Sequence, residues 1–270
     1  MPRRTPLRIS LLAVVLALVN TTPGACAAES DEARLAAVWQ LAAQGSFADA
    51  QEAMPTAMAG DDARFAQAML LFNRQPRSDE NLVNASRMLS ELGRDGATAE
   101  LRARSRYFQA RSESLRDPDS VEAVRLYEQL WRDYPEESHG QRGLVYLLLT
   151  ALYASEPRES VVQKTTLFEA QADRLTDPEV RSQFHQVAAR GYLHLGGEEA
   201  KALAHLLQAD ALGVARRESQ GDLHVSIGQL AAELGQPVIA REHYTRFLRD
   251  FPNDPRAYTV RTLLDELTEQ

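Results

Sequence analysis

Two stretches decide how this chain folds: Tyr127-Glu128-Gln129-Leu130-Trp131-Arg132-Asp133-Tyr134-Pro135 and Tyr244-Thr245-Arg246-Phe247-Leu248-Arg249-Asp250-Phe251-Pro252. Position by position they carry the same chemistry: a tyrosine, a pair of large apolar residues, Arg-Asp, an aromatic ring and a proline. Extended upstream, Ala123, Tyr127, Leu130, Trp131 and Tyr134 recur at spacings of three and four, as do Ala240, Tyr244, Phe247, Leu248 and Phe251. That spacing places five residues on one face of a helix. The proline stops each helix because it has no amide proton and clashes with the preceding turn. One helix written twice in one chain predicts an internal repeat.

Outward from these stretches the same period persists. From Asp31 onward no sustained alternation of period two occurs, so the reading is all-α. Glycines and prolines, from Gly45 through Pro118 to Pro252, cut the chain into segments of about four helical turns. Asp177 before Pro178 and Asp254 before Pro255 each predict a helix start, with a capping acceptor followed by a proline whose missing N–H is harmless there. Leu144 to Leu152 is apolar except Thr150. A helix there is expected to be covered on both sides, and it is too short to cross a bilayer.

A helix pair recurring every 34 to 40 residues resembles the tetratricopeptide repeat. The fullest match runs over 221–254, with Ile227 and Gly228 on the first helix, Gly235 at the turn, Ala240 and Tyr244 on the second helix and Pro252 at its end. There Gly228 and Ala240 would let the helix backbones approach, with Tyr244 filling the groove beside them. Ala231 and Phe247 depart from the pattern. A second unit, over about 104–137, has Ala123 and Tyr127 in place but Arg111 where glycine is expected. Leu41, Gly45, Phe47 and Ala50 suggest a third unit, interrupted by Pro55. Ala189, Tyr192, Gly196 and Ala200 suggest a fourth, one residue short at its turn. The resemblance implies a right-handed solenoid of about six irregular helix pairs over 29–270. The amphipathic stretch Asp254 to Gln270 would close it, packing Ala257, Val260, Leu264 and Leu267 inward.

Residues 1–28 read as a segment outside that fold. Arg3, Arg4 and Arg8 come first, Ile9 to Val19 is apolar apart from Ser10, and small polar residues follow. This is the pattern of a secretory signal. Its apolar core spans roughly 16 Å as a helix, about half of a ~30 Å hydrocarbon layer. Cleavage after Ala27 or Ala28 fits the small-residue rule. Alternatively Pro23-Gly24-Ala25-Cys26 resembles a lipobox, in which Cys26 would be acylated and anchor the chain. Cys26 is the single cysteine of 270 residues, so no intrachain disulfide is expected. The net charge of −8 becomes more negative once the three signal arginines are gone. That balance argues against nucleic acid, whose binding rests on phosphate neutralisation, and leaves a membrane contact only through a lipid anchor.

Catalytic motifs are missing. There is no phosphate-cradling glycine loop, nucleophile elbow or His-Glu-x-x-His string. The six histidines lack the i, i+4 spacing that would put two metal ligands on one helical face, so packing or surface roles are expected. The aromatic stripes are core rather than a ligand box. No catalytic, cofactor or metal assignment follows, and an enzyme acting on cell-wall polymer stands only as the least favoured alternative.

The resemblance implies a groove lined by the first helices of successive pairs and holding a protein or peptide partner. By position it would expose Ser105, Phe108 and Ser112 on one unit and Asp222, Val225, Gln229 and Glu233 on another. The chain is similar to tetratricopeptide proteins of the bacterial cell envelope, and Arg249 to Tyr258 resembles the repeat style of outer-membrane assembly lipoproteins. The expected role is an exported, non-catalytic interaction scaffold in the periplasm or secreted. The alternative is a lipid-anchored subunit of an outer-membrane assembly complex.

Overall fold

The computed structural model describes residues 31–54, 60–153 and 159–268, the side chains of 153, 159–164 and 194–196 excepted. Residues 1–28 with Cys26, and also Pro55 and Pro157, lie outside the described residues. Thirteen α-helices and no strands occur among the described residues, and consecutive helices form hairpins. The hairpins are α1 (Asp31–Ala43) with α2 (Phe47–Ala53), α3 (Asp61–Asn73) with α4 (Asp79–Asp95), and α5 (Ala99–Arg116) with α6 (Val121–Asp133). They continue with α7 (Ser138–Tyr153) and α8 (Glu159–Ala172), α9 (Pro178–Arg190) and α10 (Glu199–Leu212), and α11 (Arg217–Glu233) and α12 (Pro237–Asp250). A last helix, α13 (Ala257–Glu266), packs on α12. Six pairs and a closing helix are the architecture the repeat pattern predicts, an all-α solenoid.

Local chemistry sets the helix ends. Ser78, Thr98 and Ser120 cap α4, α5 and α6, each accepting the backbone N–H three residues on, at 3.1 to 3.2 Å. Asp177 accepts from both Glu179 and Val180 with Pro178 at the first helical position, as expected. Asp254 does not cap its helix directly. Its Oδ1 accepts the Arg256 N–H at 2.9 Å, closing a turn, and α13 begins only at Ala257. The turns of α1–α2 and α11–α12 have the same construction. Gly45 and Gly235 sit at φ +81° and +67°, where a Cβ would be strained, and the next N–H reaches back to Leu41 and Ala231 respectively.

Packing follows the two helical stripes. Ala123, Tyr127, Leu130 and Trp131 are buried on α6, and Ala240, Tyr244 and Phe247 on α12; Tyr134, Leu248 and Phe251 close the stripes half-buried. A Cβ on Gly228 would overlap the Tyr244 ring, so α11 and α12 meet at a contact only glycine permits. At the position matching Gly228 in the earlier unit, Arg111 instead lays its guanidinium 4.6 Å from the centroid of Tyr146. No residue of Leu144 to Leu152 is exposed. The core has no single centre. Successive clusters, such as Phe65-Leu89-Leu101, Tyr107-Tyr127-Leu147, and Leu144-Leu148-Phe184, each join neighbouring hairpins, as expected of a solenoid.

The fourth unit differs from its sequence reading. Helix α9 does not end at Arg190; it runs on through a π-turn, Gly191–Gly196. A π-turn accommodates one extra residue. The small residue that packs on α9 is therefore Ala202, fully buried, whereas Ala200 is exposed. The unit is one residue longer than the α11–α12 hairpin, not one shorter.

Candidate functional site

The first-helix face is built by α7, α9 and α11. Of the seven residues expected to line a groove, Asp222, Gln229 and Glu233 are exposed along one ridge of α11, and Val225 is buried beneath them at 9% exposure. Ser105 and Ser112 have no exposed surface at all. The reason is that α5 is enclosed by α4, α6 and α7. Ser112 Oγ donates to the Phe108 carbonyl at 2.9 Å, and the half-buried Phe108 ring lies 5.0 Å from Tyr107, 5.5 Å from Phe72 and 6.1 Å from Phe65. The α5 segment of the expected groove is therefore core.

On the α9–α11 side the face is indented. One cleft of about 180 Å³ lies between α9 and α11, with Gln186, Arg190, Ser219, Asp222 and Ser226 on its walls over Ala189, Leu193 and Leu223. A second, also about 180 Å³, extends it toward α7 and shares Gln186 and Ser219, adding Arg142, Glu179 and Arg216. Asp222 is held by Arg256 at 2.7 Å, which ties the wall of the cleft to the turn before α13. Arg256 also bonds Asp254 and holds that carboxyl down to about 2.

A larger cleft, about 670 Å³, opens between α8, α9 and α10. Its apolar lining includes Ala172, Ala204, Ala211 and Leu212, and its charged lining Asp173, Arg181 and Lys201. Here two of the histidines, which show no pairing along any single helix, meet across the two helices of one hairpin. His185 on α9 and His205 on α10 place their Nδ1 atoms 2.9 Å apart, and Glu169 on α8 lies 2.7 Å from His205 Nε2. The carboxylate accepts from His205 Nε2–H, so His205 Nδ1 is left as the acceptor for His185 Nδ1–H. Tyr192 stacks on His205 at 5.6 Å between centroids. Burial first, then His205 and Arg181, push His185 down to about 4, so it is neutral at physiological pH. Every nitrogen of this relay except His185 Nε2 is engaged. It is a chain of hydrogen bonds that links α8, α9 and α10.

The next hairpin repeats the device. His224 on α11 faces His243 on α12 with Nδ1 atoms 3.3 Å apart, and both rings are buried. The acid again comes from the preceding second helix, as Asp210 on α10, but it stands on the side where the two rings meet, 3.6 Å from His224 Nδ1. Burial lowers the pKa of both histidines. The signal that could have found these pairs is the hairpin itself. Each pair sits on the facing sides of two helices joined by one turn, a relation that spacing along a single helix does not test.

No family model matches the chain, and no curated protein does. Among solved structures, a thermophilic tetratricopeptide-repeat protein of Thermus thermophilus covers 89% of this chain and 100% of its own, at 19% identity and a TM-score of 0.47.

Proposed function

We propose that this chain is a non-catalytic scaffold that holds a segment of another protein along the α7–α9–α11 face, and that it acts in the bacterial cell envelope after export. The observation that carries the binding role is the pair of adjoining clefts that share Gln186 and Ser219. Together they form a furrow that touches α7, α9 and α11, with polar residues such as Gln186, Ser219 and Ser226 beside the apolar Ala189, Leu193 and Leu223. Such a furrow suits an extended or helical peptide better than a compact cofactor, which calls for an enclosed pocket. Export rests on residues 1–28, whose charged, apolar and small-residue parts follow one another in the order of a secretory signal.

The test is site-specific photo-crosslinking in intact cells of the native organism. A photoreactive residue at Gln229 or Gln186 is expected to capture one or two envelope proteins, and one at Glu128, on the exposed side of α6, to capture none. Equal capture from both faces, or none from either, would overturn the groove assignment. The intact mass of the recovered protein reads the N-terminus at the same time. A start at Ala28 or Glu29 supports cleavage, an acylated Cys26 start supports the lipid-anchored alternative, and a retained Met1 contradicts both.

A further inference from the structure

The two histidine layers differ in one respect that hydrogen bonding does not account for. In the His185–His205 layer the carboxylate sits on the far nitrogen of the ring, so acceptors and protons alternate along a line. In the other layer the donor atoms of Asp210, His224 and His243 all lie within 4.8 Å of one another. A carboxylate oxygen and two ring nitrogens thus converge on one point. A single proton on His224 Nδ1 serves only one of the two neighbouring acceptors, His243 Nδ1 and the Asp210 carboxylate.

We propose that Asp210, His224 and His243 bind a divalent first-row transition cation, with zinc as the reference ion, at the junction of α10, α11 and α12. Zinc–nitrogen bonds of about 2.0–2.1 Å at tetrahedral angles put two ligating nitrogens about 3.3–3.4 Å apart. The His224 and His243 Nδ1 atoms are 3.3 Å apart. Imidazole pairs with one carboxylate are a donor set that zinc, cobalt and nickel take. The carboxylate is also oriented from outside. Arg246 donates to Asp210 Oδ2 at 2.7 Å and more weakly to Oδ1 at 3.2 Å, leaving the oxygen nearer His224 the freer of the two. A second group that fixes a ligating carboxylate is the usual outer support of a metal site. Both rings are buried, so an ion held between them would be shielded from bulk water. An ion there would join the last hairpin to α10, and α11 carries the Asp222–Gln229–Glu233 ridge. The site does not depend on the groove reading.

The experiment uses the full chain, stripped with a chelator and titrated with cobalt(II) chloride. The expected result is a saturable visible absorption of tetrahedral cobalt at one ion per chain, displaced by zinc chloride, with a higher melting temperature in zinc. His243→Gln and His224→Gln are each expected to weaken binding at least about tenfold. His185→Gln, in the neighbouring layer, is expected to leave the titration unchanged. If a histidine variant fails to fold by circular dichroism, Asp210→Asn replaces it, because an asparagine keeps a carbonyl acceptor for Arg246. Absence of a saturable signal, or a signal that His185→Gln reduces as much as His243→Gln, would overturn the site.

Discussion

Gly228 shows how one residue controls a helix pair. Its missing side chain is the seat of the Tyr244 ring, and the nearest ring carbons occupy the space where a Cβ would stand. The tyrosine is fixed by its place in the core beside Phe247 and Ala240, so it has little room to withdraw. Gly228→Ala is therefore expected to destabilise the protein by about 1–3 kcal/mol through overpacking, despite alanine's higher helix propensity. Urea unfolding would measure it, and an unchanged midpoint would contradict the contact. This residue was legible in the sequence because Gly228, Gly235, Ala240 and Tyr244 occur together at repeat spacing. Ser105 and Ser112 were not. A small polar side chain reads the same on an open face as inside one, and only the packing of α4, α6 and α7 around α5 shows that both are enclosed. The histidines were illegible for a related reason, since their partners stand across a turn rather than along the helix.

Among the elements, the amphipathic helices were read most reliably. The buried stripes of α6 and α12 are the residues that the three-and-four spacing selects. Helix ends are legible where a side chain caps directly, as at Asp177, less so at Asp254, whose carboxylate closes a turn ahead of α13, and not where the backbone decides, as at the π-turn Gly191–Gly196. No side-chain pattern distinguishes a π-turn from a shift of the repeat by one residue. The closing helix illustrates the energetic role of an element. Ala257 and Val260 are buried against α12 and its neighbours, with Leu263, Leu264 and Leu267 half-buried alongside. Arg241 Nη1 also donates to the Leu267 carbonyl at 3.3 Å. Ending the chain at Asn253 is expected to remove at least about 3 kcal/mol of stability and to expose the apolar side of α12. Size-exclusion chromatography with light scattering would then show association, while a monomeric product with an unshifted melting transition would refute the capping role.

At the scale of the whole molecule, acid acts on several hairpins together. His185 in the α9–α10 layer is pushed down to about 4 by burial, with His205 and Arg181 adding to the shift and Glu169 and Asp173 opposing it. His139 at the start of α7 is likewise pushed to about 4 by burial, aided by Arg142 and Arg104 and opposed by Asp177. In each case the folded pKa lies below the ordinary 6.5, so the unfolded chain takes up the proton first as pH falls. The stabilisation is complete above about pH 6.5 and is lost on the way down to about pH 4, a change on the order of 1–3 kcal/mol. Melting temperatures measured across this window are expected to fall with pH, and less steeply in a His139→Gln/His185→Gln variant. An equal slope in the variant would assign the acid response to other groups.

The succession of small cores, each shared only by neighbouring hairpins, has a mechanical consequence. A load applied at the two ends of the array is carried by the hairpin interfaces in series and releases them one at a time, because among the described residues no cluster ties the first pairs to the last. Each released pair frees about 35 to 40 residues, or roughly 120 Å of contour length. The molecule would lengthen in a series of comparable steps rather than rupture once. A solenoid built this way can yield at its margin under tension while its inner hairpins stay folded.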